Sequence, residues 1–460
     1  MRTRTYRPFL ALAGWAAAAA FVTSSAVAAQ TQPNFVVILA DDLGYGDLGC
    51  YGHPNIVTPH LDQMAQEGLR FTSFYACDAV CTPSRAGLLT GRLPVRSGMW
   101  GDRIRVLTHL STTGLPASEI TLAEALRDEG YATACVGKWH LGSQTSHLPT
   151  HHGFDSWFGL PYSNDMDLVA RPNPGIEPDF HWWNVPLMRD ESIIERPADQ
   201  TTLTERYTQE AVATINRLHD RPFFLYLAHT APHVPLFRSS GFVDHSLRGR
   251  YGDVVEELDW SVGQILDALR QNNIEQQTLV IFTSDNGPWL TMGLDGGSAG
   301  TLRDGKGSTW EGGFRVPAIA WWPGHITPGG TCHEMASTLD LFPTLLALAG
   351  GTMPSDRVFD GYDLTPVLTG SGSSPRQEMF FYRGSHLFAL RVGAQKVHWF
   401  TQPGYGGSAT EHEPPLLYRI QLDPGETRPV AKYEGELPPA ILDILSTHLA
   451  GLEIAPSLLD

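Results

Sequence analysis

From residue 33 onward, short apolar runs alternate with stretches of helical periodicity, and few architectures satisfy that alternation. Phe35 to Ala40 reads as a buried strand, and Thr121 to Gly130 as a helix feeding a strand around Tyr131 to Val136. Pro222 precedes another apolar run, Phe223 to Ala228. Val254, Val255, Leu258, Val262, Ile265, Leu266 and Leu269 fall on one stripe of a long helix, and a strand follows at Thr278 to Thr283. Strands without polar alternation, separated by amphipathic helices, predict an α/β domain. Its sheet should be large, mixed and mostly parallel, with helices covering both faces.

The texture changes after the helical run Leu339 to Ala349, which Gly350-Gly351 ends. Met379 to Tyr382, Phe388 to Val392 and Leu417 to Leu422 are shorter strand-like pieces, and a helix at Ala440 to Leu452 closes the chain. These predict a smaller C-terminal α+β domain with a short antiparallel sheet, behind the Gly/Ser-rich connection Gly370 to Ser374. The expected division is a leader over 1–28, a main domain over 29–370 and a C-terminal subdomain over 371–460. A chain of 460 residues is long enough for both cores.

The leader rests on Arg2, Arg4 and Arg7, the apolar run Phe9 to Val22, and the small residues Ala26-Val27-Ala28. This is the layout of a cleavable secretory signal with cleavage near Ala28, so the mature chain is expected in the periplasm or outside the cell. The run is too short to span a bilayer comfortably, and no membrane association is expected once it is removed. Net charge is −17, and losing the leader removes arginines but no acid. Such a chain repels nucleic acid, which is excluded as a partner, and any site for an anion must be locally positive.

Polar residues collect just past the carboxyl ends of the predicted strands, the edge where open α/β sheets bind ligands. Asp41 and Asp42 follow the first strand, Lys138 and His140 the strand ending near Val136, His229 the strand ending at Ala228, and Asp285 with Asn286 the strand ending near Thr283. Asp41, Asp42, Asp285 and Asn286 offer only oxygens, the ligand set of calcium or magnesium rather than zinc. An aspartate after a strand is often only a turn or helix cap. The second oxygen-bearing run, Ser284-Asp285-Asn286-Gly287, favours the metal.

The cysteines are Cys50, Cys77, Cys81, Cys135 and Cys332, with no C-x-x-C pair and hence no suggested zinc site. Cys81 leads into Thr82-Pro83-Ser84-Arg85, and Pro83 suits a first helical turn, placing Cys81 just before a helix N-terminus that favours anions. If chemistry consumes Cys81, the other four allow three disulfide pairings.

The run Cys81-Thr82-Pro83-Ser84-Arg85-Ala86-Gly87-Leu88-Leu89-Thr90-Gly91-Arg92 resembles the signature of the sulfatase family, within the alkaline-phosphatase-like superfamily. The likeness continues in order through Ala40-Asp41-Asp42-Leu43-Gly44, Gly137-Lys138-Trp139-His140-Leu141-Gly142, His229-Thr230-Ala231-Pro232-His233, Ser284-Asp285-Asn286-Gly287 and Gly305-Lys306-Gly307-Ser308-Thr309-Trp310-Glu311-Gly312-Gly313. It implies an arylsulfatase A-like enzyme whose Cys81 a maturation enzyme converts to formylglycine. It further implies one Ca2+ held by Asp41, Asp42, Asp285, Asn286 and residue 81. Arg85 and His140 would hold the hydrated aldehyde. Lys138, His229, Lys306 and, less directly, Ser163 would contact the sulfate, with His229 or Lys306 near the departing oxygen.

A hydrated aldehyde offers one hydroxyl to attack sulfur and a second to expel sulfate afterwards, an exit that serine lacks. The expected substrate is an aryl sulfate or a sulfated saccharide. His181-Trp182-Trp183 fits either the leaving-group pocket or the core. His233, flanked by Pro232 and Pro235, fits substrate contact or loop packing, and Asp304 puts an acid near Lys306. Two alternatives remain: a phosphate or phosphonate monoester hydrolase of the same superfamily, and a sulfated-glycan-binding protein without turnover.

Overall fold

The computed structural model describes residues 1–5, 32–170, 177–430 and 436–460. The leader's apolar run and the cleavage site at Ala28 lie outside the described residues. No helix among the described residues is long and apolar enough to cross a membrane.

In chain order the main strands are β1 (Asn34–Ala40), β2 (Leu69–Tyr75), β3 (Ala132–Gly137), β4 (Ser156–Gly159), β5 (Leu187–Arg189), β6 (Ser192–Glu195), β7 (Phe223–Ala228), β8 (Thr278–Ser284), β9 (Arg315–Trp321), β10 (Gly330–Cys332) and β11 (Ala336–Ser337). Among the described residues they form one sheet in the order β10-β2-β9-β8-β1-β7-β3-β4-β5-β6, with β11 also pairing β2. The centre, β8-β1-β7-β3-β4, is parallel throughout. The β2–β9, β8–β9, β4–β5 and β5–β6 pairs are antiparallel, which makes the sheet mixed, as expected.

β1 explains why its sequence is apolar without alternation. Val36, Ile38 and Ala40 join one core with Leu258, Val262 and Ile265 of the helix Arg250–Gln271 and with Tyr207 and Ala211 of the helix Leu203–Leu218. Phe35, Val37 and Leu39 join the other core, with Leu88 and Leu89 of the helix Cys81–Thr90 and Leu345 of the helix Leu341–Leu348. Both faces are covered, so every residue of the strand is buried. The helix after Thr121 begins with a reciprocal cap. Thr121 Oγ1 accepts the Glu124 N–H at 3.1 Å, and the Glu124 carboxylate accepts the Thr121 N–H at 2.7 Å.

β12 (Glu378–Arg383), β13 (His386–Val392), β14 (Gln395–Thr401) and β15 (Thr410–Arg419) make a separate antiparallel meander, with the helix Pro439–Ala450 following. β14 was not foreseen, and the piece at Leu417 to Leu422 leaves the sheet at Arg419. Both sheets belong to one compact unit, Gln32–Asp460.

A buried ion network ties the small sheet to the large one. Lys396 Nζ of β14 lies 3.0 Å from Glu311 Oε1 and 3.1 Å from Glu426 Oε1, and His398 Nε2 lies 2.7 Å from Glu426 Oε1. The Tyr75 hydroxyl donates to Glu311 Oε2 at 2.6 Å. Burial alone would raise the Glu311 carboxyl, but Lys396, Arg391 and Arg315 with the Tyr75 hydroxyl bring it down to about 2. A carboxyl lowered by folding contributes stability above its unfolded value, near 4.5, and loses it as pH falls through about 2. The contribution is on the order of 3 kcal/mol. Urea unfolding between pH 5 and pH 2.5 should therefore fall more steeply for the wild type than for Glu311→Gln. Parallel slopes would refute this account.

Candidate active site

The carboxyl ends of the parallel central strands supply the site. Asp41 and Asp42 follow β1, Lys138 and His140 follow β3, and Asp285 and Asn286 follow β8. Main-chain bonds lock these ends together: Asp285 N–H donates to the Ala40 carbonyl at 3.1 Å, Lys138 N–H to Ala228 at 2.7 Å, and Asp41 N–H to Ala231 at 2.9 Å. Asp42 (φ 67°) and His140 (φ 62°) are held in the left-handed region, a cost of about 1–3 kcal/mol each that concentrates at functional sites.

Cys81 is the first residue of its helix rather than the one before it, with Val80 extended as the N-cap. Its Sγ lies 3.5 Å from Asp41 Oδ1, 4.0 Å from Asp42 Oδ1 and 3.5 Å from Lys306 Nζ. Burial pushes the thiol far up despite Lys138 and Lys306, so the unmodified residue stays protonated and is no thiolate nucleophile. All five cysteines are free.

Carboxylates and cations interleave around it. Lys138 Nζ lies 2.5 Å from Asp41 Oδ2, Lys306 Nζ 2.8 Å from Asp42, and Arg85 Nη2 2.8 Å from Asp285 Oδ2 and 3.5 Å from Asp41 Oδ1. Arg85 also donates to the Lys138 carbonyl at 2.9 Å. Burial would raise Asp41, but Lys138, His233, Arg85 and Lys306 hold it well below the usual carboxylate range. Burial, with Asp41 and Asp42 adding to it, lifts Asp285 to about 6 against Arg85. Burial opposes the charge on Lys306, yet Asp42, Cys81 and Asp41 raise it well above the ordinary lysine value.

Several groups are consistent with a cation. Asp41, Asp42, Cys81 and His233 present ligand atoms all within 4.8 Å of one another. The Asn286 amide donates to Asp42 Oδ1 at 2.7 Å and leaves its buried Oδ1 without a partner. Asp285 Oδ1 accepts the Asp42 N–H at 3.2 Å. An orphaned amide oxygen among three buried carboxylates is a donor set for a hard divalent ion.

His140 points Nε2 at the Leu107 carbonyl, 2.7 Å away, and its buried Nδ1 has no partner. Burial, reinforced by Lys138, takes its basicity well below the ordinary value. Ser163 Oγ accepts from Lys138 Nζ at 3.2 Å and lies 3.5 Å from His233 Nε2.

The two histidines of the loop after β7 exchange places relative to expectation. His229 is not brought to the centre: its Nε2 lies 3.2 Å from Ser261 Oγ of the long helix, and its ring packs near Tyr207. Burial lowers it to about 3, and no charged group contributes. His233 instead faces the cluster, with Nε2 3.6 Å from Asp42 Oδ2 and Nδ1 2.5 Å from the Val234 carbonyl. Burial and Lys306 lower it, while Asp42, Asp41 and Asp165 oppose the shift. A side chain immediately after a strand end can turn back under the sheet, and spacing does not reveal whether it does.

Trp183 belongs to the core and packs edge-on against Phe237, with Trp182 against that core, so this pair is not pocket lining. Asp304 turns away from Lys306: its carboxylate accepts the N–H groups of Gly305 and Gly404, each at 2.8 Å. Trp289 and Tyr405 were missed. Trp289 lies under Lys306 Nζ at 4.4 Å and beside His233 at 5.4 Å, and Tyr405 lies 5.5 Å from Trp289. Neither stands in a motif; only the tertiary fold brings them there.

The family model described as Sulfatase matches residues 33–351, and the one described as C-terminal region of aryl-sulfatase matches residues 374–460. Arylsulfatase A of Homo sapiens is 46% identical over 440 residues, covering 88% of this chain and 84% of that protein. N-acetylgalactosamine-6-sulfatase of Mus musculus is 44% identical over 446 residues, covering 90% and 85%. The crystal structure of PsFucS1 sulfatase from Pseudoalteromonas sp. superposes with a TM-score of 0.82 at 30% identity, covering 92% of each chain.

Proposed function

Since the chain belongs to the sulfatase family, has its alkaline-phosphatase-like fold and is a sulfuric ester hydrolase, we propose that it cleaves aryl sulfates or sulfated saccharides with a formylglycine made from Cys81 and a bound calcium ion. The observation that carries this reading is the Cys81 thiol, buried among carboxylates and lysines where burial keeps it protonated. The position suits a nucleophile, but a neutral thiol does not.

Asp41, Asp42, Asp285 and the Asn286 amide oxygen would hold the cation, which supplies polarisation of a sulfuryl oxygen. A formylglycine at position 81 supplies, as its hydrate, the attacking hydroxyl. Lys138 and Lys306 are placed to donate to the sulfuryl oxygens, and Ser163 keeps Lys138 in register. Arg85, fixed by Asp285, Asp41 and the Lys138 carbonyl, orients the carboxylates, and the free Nδ1 of His140 can hold a group at position 81. His233 takes the part expected of His229. Its Nδ1 is engaged by the Val234 carbonyl, leaving Nε2 to carry a proton to the departing alcohol oxygen. An anionic ester beside it raises its proton affinity.

Charge bookkeeping supports the pairing of cation and ester. Three buried carboxylates (Asp41, Asp42, Asp285) face three cations (Arg85, Lys138, Lys306). A divalent ion adds two positive charges, which an ester monoanion and one ionised hydroxyl offset.

The test is a mass spectrum of the tryptic peptide Phe71 to Arg85 from exported protein, followed by chelation. We expect the mass of an aldehyde in place of the thiol at residue 81. A calcium chelator should abolish turnover and lower the melting temperature, and calcium should restore both. Ligand at a hundred times its dissociation constant stabilises by about 2.7 kcal/mol. An unmodified thiol in active protein, or indifference to chelation, would overturn the corresponding part.

A further inference from the structure

Asp42 presents its carboxylate to the centre from a left-handed backbone conformation, and a residue so placed persists only where its surroundings over-determine it. Before it, the strand ends do this. Asp42 N–H donates to Asp285 Oδ1 at 3.2 Å and Leu43 N–H to Ser284 Oγ at 3.0 Å. After it, the next N–H, of Gly44, donates to Asp47 Oδ2 at 2.7 Å, and Asp47 N–H returns to the Gly44 carbonyl at 3.2 Å. Asp47 is 1% exposed, touches no group of the centre and has no part in the reaction described above.

The Asp47 carboxylate reaches well beyond its own turn. Its Oδ2 also accepts the Tyr251 hydroxyl of the helix Arg250–Gln271 at 2.6 Å, and its Oδ1 accepts the Ser298 N–H at 2.8 Å. Ser298 lies in the loop that runs on from Asp285 and Asn286 after β8. One carboxylate therefore fastens the loop of Asp41 and Asp42 to the loop of Asp285 and Asn286. Gly46 N–H adds a second tie, to the Ser298 carbonyl at 2.8 Å. Arg248, 5.5 Å over the Tyr251 ring, donates to the Leu294 and Gly296 carbonyls at 3.0 and 2.9 Å and holds the second loop against the helix. A Cβ on Gly44 would overlap the Ser298 carbonyl oxygen, and one on Gly297 the Asp47 carboxylate, so only glycine lets the loops come this close.

Three neutral donors converge on this buried carboxylate, and only a group that accepts through both oxygens satisfies them all. An amide of the same shape turns its NH2 towards at least one of these donors. Asp47→Asn therefore keeps the volume but opens the clasp.

We propose that Asp47 is a positioning residue for the cation: by fastening the two ligand-bearing loops to each other it holds Asp42 against Asp285 and Asn286, and so sets the affinity for the ion without touching it. This rests on the calcium reading of the buried centre and adds a determinant outside the ligand set.

The test titrates calcium-loaded protein with a fluorescent chelator at pH 8, above the value of about 7 to which burial pushes the Asp47 carboxyl. Asp47→Asn should weaken calcium binding about tenfold to a hundredfold. Its turnover of 4-nitrophenyl sulfate should return to near the wild-type value once calcium is saturating, because no group that meets the ester has changed. Tyr251→Phe should weaken binding in the same direction, and adding it to Asp47→Asn should cost nothing further. Asp259→Asn is the control: an equally buried carboxylate of the same helix, it accepts the Leu61 and His60 N–H groups at 2.7 and 3.2 Å, away from both loops. It should lower the melting temperature and leave calcium affinity unchanged. Unchanged affinity in Asp47→Asn, or an equal loss in Asp259→Asn, would overturn the proposal. If Asp47→Asn does not fold, Tyr251→Phe against Asp259→Asn decides. Wild type that binds no calcium would overturn the reading of the centre and the clasp's role with it, so the two failures are distinct.

Discussion

Replacing Cys81 by serine should lower steady-state turnover of sulfate esters by about 10⁵-fold or more, the scale seen when a covalent nucleophile is lost. Serine fits the same enclosed position, so folding should be little affected. Its hydroxyl can accept the sulfuryl group, with the alcohol leaving as its oxygen gains a proton. The resulting serine sulfate carries no second hydroxyl on the same carbon, so nothing expels the sulfate. At most one equivalent of alcohol per chain should appear, and the peptide Phe71 to Arg85 should gain the mass of one sulfuryl group. Sustained turnover by this variant would end the formylglycine account.

His233→Ala should cost about 10²- to 10⁴-fold in kcat/KM, the usual worth of a positioned general acid. His229→Ala should stay within about threefold of wild type and instead lose about 1–3 kcal/mol of stability, because it removes a buried ring packed between Ser261 and Tyr207. The loss with His233→Ala should be smaller for esters whose alcohol is already acidic, since these need less help to depart. Measuring both variants on a nitrophenyl sulfate and on an alkyl sulfate separates proton transfer from packing. Equal damage from the two substitutions would mean that the loop after β7 is not arranged as described.

Much of this was legible in the chain. The central strands are covered on both faces, so they read as unbroken apolar runs, and polar residues at their ends lie on one edge for topological reasons. Asp41, Asp42, Lys138, Asp285 and Asn286 could be brought together on that basis, whereas Arg85 and Lys306 follow no strand and were reached only through the resemblance to the sulfatase signature. β14 could not, because it buries Lys396 and His398, whose partners Glu311 and Glu426 are distant in sequence. A strand that looks too polar to be inside becomes possible only once those ion pairs exist. The choice between His229 and His233 failed for a related reason: both lie in one loop, and which ring faces the cluster depends on Ser261 in a helix further along the chain. The orientation of Asp304, an acid two residues from Lys306, is likewise set from afar, by the Gly404 N–H in the connection between β14 and β15.

The anchoring of Tyr405 by Asp304 also sets a schedule. The pocket over Cys81 is complete only when the connection between β14 and β15 has docked, whereas Cys81 leaves the ribosome more than three hundred residues earlier. At 5–20 residues per second that interval lasts roughly fifteen seconds to a minute. During it the thiol is open to another enzyme's active site, and afterwards it is walled in. If residue 81 is made into formylglycine, its oxidation would have to fall in that interval, and chain that folds before being oxidised should stay inactive until it is unfolded again.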